Sequence, residues 1–262
     1  MIDIFNLPLF LVLNFFLVFT RISSILFFGP VFNSKVIPAR VKIGLGFLIA
    51  IIVFPFVKKI NFDIEKLNII SYFSLILLEV TVGIIIGLMS TFIFAAIQTA
   101  GQLIGFSMGL AIANVFDPIT NEQVSEISHL QNIFALWIFL LLNGHHIFIK
   151  ACVHSFEFIP LAGFYLKNSF FSMLVKSGGE IFLIAVKIGA PMLFALFVVD
   201  LSFGIIARLA PQVNIMIVGM PVKIFVGFLF MMMSMPLFVY MFKTLFASFM
   251  KEVFLLIKSF GV

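Results

Sequence analysis

Two charged residues lie at helical spacing from glycines inside long apolar segments. Glu79 precedes Gly83 by one helical period and Gly87 by two, and Lys223 lies midway between two further glycines. A charged side chain in an apolar span is costly and seldom faces lipid, so both glycine-lined faces are predicted to turn towards protein. Such charges either pair and hold subunits together or relay protons and ions. Our hypothesis is a Glu79–Lys223 ion pair.

Three more charges lie within or near apolar segments. Arg21 comes late in the first segment, close enough to its end for the guanidinium group to reach the water interface. Glu180 and Lys187 are seven residues apart and therefore lie on one side of a helix. The charges predicted to be buried and to serve assembly are Arg21, Glu79, Lys187, Asp200 and Lys223.

The histidines and the cysteine offer little for a metal or catalytic site. His145 and His146 are adjacent, and the side chains of adjacent helical residues point about 100° apart. Cys152 is the only cysteine, which excludes an internal disulfide and a thiolate metal cluster. The sequence has no Ser–His–Asp grouping, phosphate-binding loop or dinucleotide fingerprint. We therefore expect no catalytic residue, no metal and no cofactor.

A repeat of small residues follows at four-residue spacing. Gly101, Gly105, Gly109 and Ala113 would form a ridge without side chains on a helix, where another backbone can approach closely. Ordinary helix packing explains such a ridge. The alternative is a bendable segment that faces a cavity or pore. Irregular backbone at membrane depth needs protein or water as a hydrogen-bond partner for its N–H and C=O groups. Glutamines at positions 98 and 102 are taken to mark a break or bend in the preceding helix.

The elements that must position these residues are membrane helices. The chain has 63% hydrophobic and 10% charged residues and a mean hydropathy of +1.27, whereas a soluble domain is about half apolar and about a quarter charged. The apolar runs are continuous rather than alternating, which excludes a β-barrel. The positive charges are scattered, so no nucleic-acid partner is expected.

Six candidate spans divide the chain, at residues 8–28, 43–57, 69–97, 133–149, 181–199 and 216–242. Residues 242–260, which place three lysines among Phe and Leu, are interpreted as an interfacial or partner-packing helix. Lysines are more frequent in the loops on the side of the termini, which favours cytoplasmic termini. The predicted fold class is an all-α polytopic membrane protein.

Three stretches together resemble the FliR/SctT family of type III export-gate membrane proteins. The first is AxxxAGQLIGFSMGLAIANVFDP at residues 96–118, and the second is Asn143-Gly144-His145. The third is DLSFGIIARLAPQVNIMIVGMPVKIFVGF at residues 200–228. Its hairpin-loop residues are Arg208, Pro211, Gln212 and Asn214. The resemblance covers nearly the whole chain, in order.

The resemblance implies a subunit of the flagellar export gate in the bacterial inner membrane, at the flagellar basal body. Its implied partners are FliP-like and FliQ-like subunits, FlhB-like and FlhA-like proteins, membrane lipid and unfolded flagellar substrates. Residues 1–175 would be FliP-like, residues 176–242 a FliQ-like hairpin and residues 243–262 an amphipathic helix. A loop at residues 105–116 would plug the pore. The implied plug residues are Gly105, Phe106, Ser107, Met108, Gly109, Leu110 and Phe116.

Other functions stay open at this point. Members of the family in virulence secretion systems share these motifs. A secondary transporter could use Glu79, Lys187 and Lys223 around a broken helix. In the export-gate family the helices are held largely above the membrane plane, so six apolar segments can make fewer than six crossings.

Overall fold

A computed structural model describes residues 9–32, 37–60, 68–110, 125–163, 168–212 and 214–259. Within these ranges the chain forms seven α-helices and a short 3₁₀ turn, with no β-strand. The helices are α1 (Leu9–Phe28), α2 (Ala39–Val53), α3 (Ile69–Ser107), α4 (Glu126–Leu141), α5 (Gly144–Phe158), α6 (Asn168–Leu209) and α7 (Ile215–Ser259). The predicted all-α class is confirmed.

Five helical segments are long and apolar enough to cross a membrane, or six if the broken pair α4 and α5 forms one span. The five are Leu9–Phe28, Ala39–Phe56, Ile69–Ser107, Leu174–Leu209 and Ile217–Lys258. The segment Ala39–Phe56 is α2 together with the 3₁₀ turn Phe54–Phe56 that follows it. The order of the six predicted segments is therefore reproduced, and the chain is a multi-pass membrane protein.

Two predicted boundaries are wrong. Helix α3 continues without a break through Gln98 and Gln102 to Ser107, because glutamine is a good helix former. The predicted fourth span is interrupted at Asn143, which has a φ of 53° and precedes the first residue of α5. Helix α7 runs unbroken to Ser259, so the residues from 243 to 259 continue the same helix.

The chain divides into two compact units, and long helices contribute to both. Unit 1 comprises Met1–Phe92, Asn143–Ser177 and Ser248–Val262. Unit 2 comprises Ile93–Leu142 and Gly178–Ala247. The assignment of residues 1–175, 176–242 and 243–262 to FliP-like, FliQ-like and terminal parts stays a prediction.

Unit 1 is built around α1. One face of this helix is fully enclosed, with Leu17, Val18, Ile22, Ile25 and Leu26 at 1% exposure or less. Glycines on neighbouring segments bring backbones close to it, as small residues do between membrane helices. On α2, a Cβ added at Gly46 would lie 2.8 Å from the hydroxyl oxygen of Ser23.

Unit 2 has its own apolar core. The buried side chains that form it are Ile104, Met108, Ile127, Met192, Leu196 and Met231, from α3, α4, α6, α7 and the turn after α3. Three of the six are methionines, whose flexible thioethers fill irregular gaps between helices. The helices of unit 2 therefore meet across a soft core.

Candidate functional site

The first candidate site is a buried ion pair in unit 1. Arg21 of α1 and Glu79 of α3 are 0% and 1% exposed, and Nε of Arg21 donates to Oε2 of Glu79 at 2.5 Å. The prediction that Arg21 reaches the water interface is wrong. The predicted Glu79–Lys223 pair is also wrong, because Glu79 pairs with Arg21.

The rest of the Arg21 guanidinium group binds the carboxyl-terminal end of α5. One terminal nitrogen donates to the carbonyl oxygens of Ser155 at 3.2 Å and Ile159 at 2.8 Å, and the other donates to that of Pro160 at 3.4 Å. The Phe156 ring lies 4.4 Å from the guanidinium carbon. Carbonyls left over at a helix end carry partial negative charge, which favours a cation there.

The second oxygen of Glu79 is occupied as well. Oε1 accepts a hydrogen bond from the backbone N–H of Ala162 at 2.9 Å, in a turn where Ala162 has a φ of 56°. Both charges are therefore desolvated and surrounded by partners, the arrangement that a buried pair requires. The pair joins α1, α3 and the turn after α5, and it suits a structural role better than a proton relay.

The glycine face that accompanies Glu79 packs against α1, as predicted. A Cβ added at Gly83 would lie 2.4 Å from Cβ of Ser24 and 2.9 Å from the carbonyl oxygen of Arg21. At Gly87 the nearest atom would be Cβ of Phe28, at 2.7 Å. No side chain fits at either position, so the two glycines set the approach of α1 and α3 that lets Arg21 reach Glu79.

The second candidate site is the ion pair of unit 2. Lys223 of α7 pairs with Asp200 of α6, and the side chains are 24% and 47% exposed. Asp200 is thus partly exposed in the single chain, and its predicted burial in an assembly stays a prediction. The pair lines a cavity of about 210 Å³ together with Gly109, Phe203, Ile215, Gly219 and Met220.

Lys187 does not belong to either pair. Its side chain is exposed on α6 in the single chain, and its burial in an assembly stays a prediction. Its helical neighbours Leu183 and Phe194 are 53% and 69% exposed. A cation therefore lies in an apolar face that the described part of this chain does not cover.

The predicted plug segment is helical where it begins. Residues 105–107 belong to α3, and a Cβ added at Gly105 would lie 2.0 Å from Oγ of Ser125. One helical turn earlier on the same ridge, a Cβ added at Gly101 would lie 2.4 Å from Cα of Ser128. The ordinary packing explanation of this ridge holds for both glycines.

Gly109 caps the end of α3, two residues beyond Ser107. Its N–H donates to the carbonyl oxygen of Phe106 at 3.0 Å, and the N–H of Leu110 donates to that of Gly105 at 3.1 Å. Together with a φ of 84° at Gly109, these bonds form a Schellman cap, for which glycine is the usual residue. The left-handed conformation thus has a local structural cause.

The side chains of the plug segment have different environments. Met108 is 1% exposed in the core of unit 2, whereas Phe106 is 63% exposed. Ser107 and Leu110 are partly buried. Phe116 and Ala113 lie outside the described residues. The plug role of this segment stays a prediction.

The predicted hairpin-loop residues lie together between α6 and α7. Arg208 is in the last turn of α6, and Pro211 and Gln212 follow in a turn. The carbonyl oxygen of Asn214 accepts from the N–H groups of Ile217 at 3.1 Å and Val218 at 3.2 Å, starting α7. The side chains of all four predicted residues are exposed.

One buried polar residue escaped the sequence analysis. The Asn14 side chain is fully buried in α1. Its Oδ1 atom accepts a hydrogen bond from the N–H of Ile60 at 2.9 Å, and its Nδ2 atom donates one to the carbonyl oxygen of Ile60 at 3.1 Å. It thereby satisfies backbone groups in the connector after the 3₁₀ turn. The sequence feature that could have identified this residue is a single asparagine within an apolar span.

No group of three or more metal-ligating side chains occurs in the described part of the chain. His154 instead contacts Glu157 one turn later, at 2.7 Å between Nδ1 and Oε2, on an exposed face. The site chemistry consists of ion pairing and helix packing.

Comparison with known proteins gives a consistent result. The sequence profile of the family described as "Bacterial export proteins, family 1" matches residues 12–249. The Flagellar biosynthetic protein FliR of Bacillus subtilis (strain 168) is 36% identical over 225 residues, covering 84% of this chain and 85% of that protein. The proteins of the same name from Pectobacterium carotovorum and Escherichia coli (strain K12) are 34% and 32% identical, covering 86% and 83% of this chain and 85% and 82% of theirs.

Proposed function

The chain belongs to family 1 of the bacterial export proteins, and on that premise we propose that it is a channel-forming subunit of a flagellar protein export gate. It acts in the bacterial inner membrane together with FliP-like and FliQ-like subunits and with FlhB-like and FlhA-like proteins. It helps to form and seal the pore for unfolded flagellar subunits and catalyses no reaction. The names of the relatives favour a flagellar system over a virulence system.

The observation that carries the proposal is the uncovered end of α6. Between Leu201 and Leu209 every residue except Phe203 is exposed, on all sides of the helix. An apolar helix end that the described part of its own chain leaves uncovered needs lipid or other subunits around it. The exposed Lys187 on the same helix favours subunits, because an unpaired cation is costly against lipid.

The transporter alternative has less support. It required Glu79 and Lys223 to be available to a substrate or to protons. Glu79 is enclosed by Arg21 and by the N–H of Ala162, and Lys223 pairs with Asp200. Glu79 and Lys223 are thus each held in an ion pair, and they belong to different compact units.

Genetic complementation tests the proposal. The chain is expressed in a flagellated bacterium that lacks its own FliR protein, and secretion of flagellar subunits into the medium is measured. Secretion should return, and the chain should copurify with the FliP-like and FliQ-like subunits. The proposal is wrong if the chain inserts normally into the membrane but restores no secretion and copurifies with neither subunit.

The sealing role is tested at Phe106. Because this side chain is exposed, Phe106→Ala should leave assembly intact while raising ion leakage through the assembled gate, measured as conductance in a planar bilayer. The matched control is Phe56→Ala, which removes an exposed phenylalanine in unit 1 and should not change conductance. Equal conductance in both variants would show that Phe106 does not contribute to the seal.

A further inference from the structure

A buried glutamine in unit 2 has no hydrogen-bond partner for either end of its amide group among the residues that the structure describes. Gln131 of α4 is 3% exposed, and neither its Oε1 nor its Nε2 atom has a hydrogen-bond partner in the described part of the chain. Leaving buried polar atoms unpaired is costly, so native proteins rarely do so. Packing alone does not explain why a glutamine occupies this position, since leucine or methionine would fill a similar volume.

The Gln131 side chain lines a small cavity. Its other walls are Phe134, Met192, Met231, Ser234, Met235 and Phe238, from α4, α6 and α7. The volume is about 10 Å³, which is about the smallest space that holds one water molecule. A dry cavity of this size would be lined by apolar groups only, whereas this one has an amide and a hydroxyl group on its wall.

The polar groups match the needs of one water molecule. The Ser234 hydroxyl group donates to the carbonyl oxygen of Met231 at 3.2 Å, which leaves its oxygen able to accept. The amide of Gln131 offers one acceptor oxygen and two N–H donors. A water molecule that accepts from Nε2 and donates to Oε1 and to Oγ of Ser234 would make three bonds, the usual number for a buried water.

We propose that this cavity is a binding site for a single water molecule, held between the amide of Gln131 and the hydroxyl group of Ser234. Helices α4, α6 and α7 of unit 2 then meet across a hydrated polar contact inside a methionine-rich core. Such a contact can exchange its hydrogen bonds when the helices shift, because water can reorient where a fixed side-chain pair would break.

Hydroxyl-radical footprinting of the full-length protein in its purified complex tests the site. Radicals formed by an X-ray pulse from a bound water oxidise the methionines beside it, and mass spectrometry measures the rate at each residue. Met192 and Met231 line the cavity and are buried, as is Met108, which belongs to the same core but does not line the cavity. Met192 and Met231 should be oxidised several-fold faster than Met108.

Two variants link the oxidation to the polar groups. Gln131→Leu and Ser234→Ala should each slow the oxidation of Met192 and Met231 towards the rate of Met108. The control is Ser128→Ala, which removes a buried hydroxyl group on α4 that binds the Gln98 carbonyl oxygen instead and should leave the rates unchanged. If Gln131→Leu fails to fold, the oxidation rates in Ser234→Ala alone test whether the polar groups hold the water molecule.

Two results would overturn the proposal. One is slow oxidation of Met192 and Met231 in the unaltered protein, equal to that of Met108. The other is fast oxidation that persists in every folded variant, since the radicals would then come from outside the cavity.

Discussion

The two units hold their charges in opposite ways. In unit 1 the Arg21–Glu79 pair is fully buried, and backbone groups occupy the remaining atoms of both side chains. In unit 2 the Lys223–Asp200 pair is partly exposed and lines a cavity. The same attraction therefore serves two purposes: the first pair fastens three segments together, while the second stays accessible beside the end of α3.

On general grounds, burial decides how much stability is lost when one partner of an ion pair is removed. Removing one partner of a buried pair leaves a desolvated charge and costs about 3–5 kcal/mol. An exposed pair is screened by solvent and contributes about 0–1 kcal/mol. We therefore expect unit 1 to be much more sensitive than unit 2 to the loss of a charge.

The largest effect is expected from Arg21→Met. The substitution leaves the buried Glu79 carboxylate without its cationic partner and removes the Arg21 hydrogen bond to the Ile159 carbonyl group, and it should lower stability by about 3–5 kcal/mol. The yield of folded protein and its melting temperature in detergent measure the loss. A melting temperature equal to that of the unaltered protein would contradict the expected difference between the two ion pairs.

A smaller effect is expected where the glycine face of α3 meets α1. Gly83→Ala would put a Cβ 2.4 Å from Ser24, and overpacking of this kind costs about 1–3 kcal/mol. Gly178→Ala is the matched control, since a Cβ on this α6 glycine meets nothing within 4 Å. The control should be neutral or stabilising by up to about 1 kcal/mol, because alanine favours helix. Equal melting temperatures for the two variants would contradict the close approach of α1 and α3.

The smallest effect is expected from Lys223→Met. The half-exposed Asp200 carboxylate keeps access to solvent, so the stability should fall by less than about 1 kcal/mol. The melting temperature in detergent checks this, and added salt should reduce the difference further. A loss as large as that of Arg21→Met would mean that the assembled unit 2 pair is desolvated.

The sequence predicted the helices and one packing face, since both depend on local pattern. Hydropathy located the apolar segments, and the four-residue spacing of Glu79, Gly83 and Gly87 placed them on one face of α3. The break expected near Gln98 did not occur, because polarity alone does not end a helix whose glycines are covered by α4.

The partner of each charge could not be predicted from the sequence. Arg21 and Glu79 are 58 residues apart, and only the packing of α1 on α3 brings them together. Likewise, the helical spacing around Lys187 gave no sign that its face lies outward. Which face of a long apolar helix is buried depends on the neighbouring helices, and composition does not encode them.

The most direct test is a pair of double-mutant cycles for stability. One cycle combines Arg21→Met with Glu79→Met, and the other combines Lys223→Met with Asp200→Leu. The unit 1 pair should show a coupling free energy of about 2–3 kcal/mol, so that the double variant is far more stable than the summed losses imply. The unit 2 pair should show less than about 1 kcal/mol. Equal coupling in the two cycles would contradict the account.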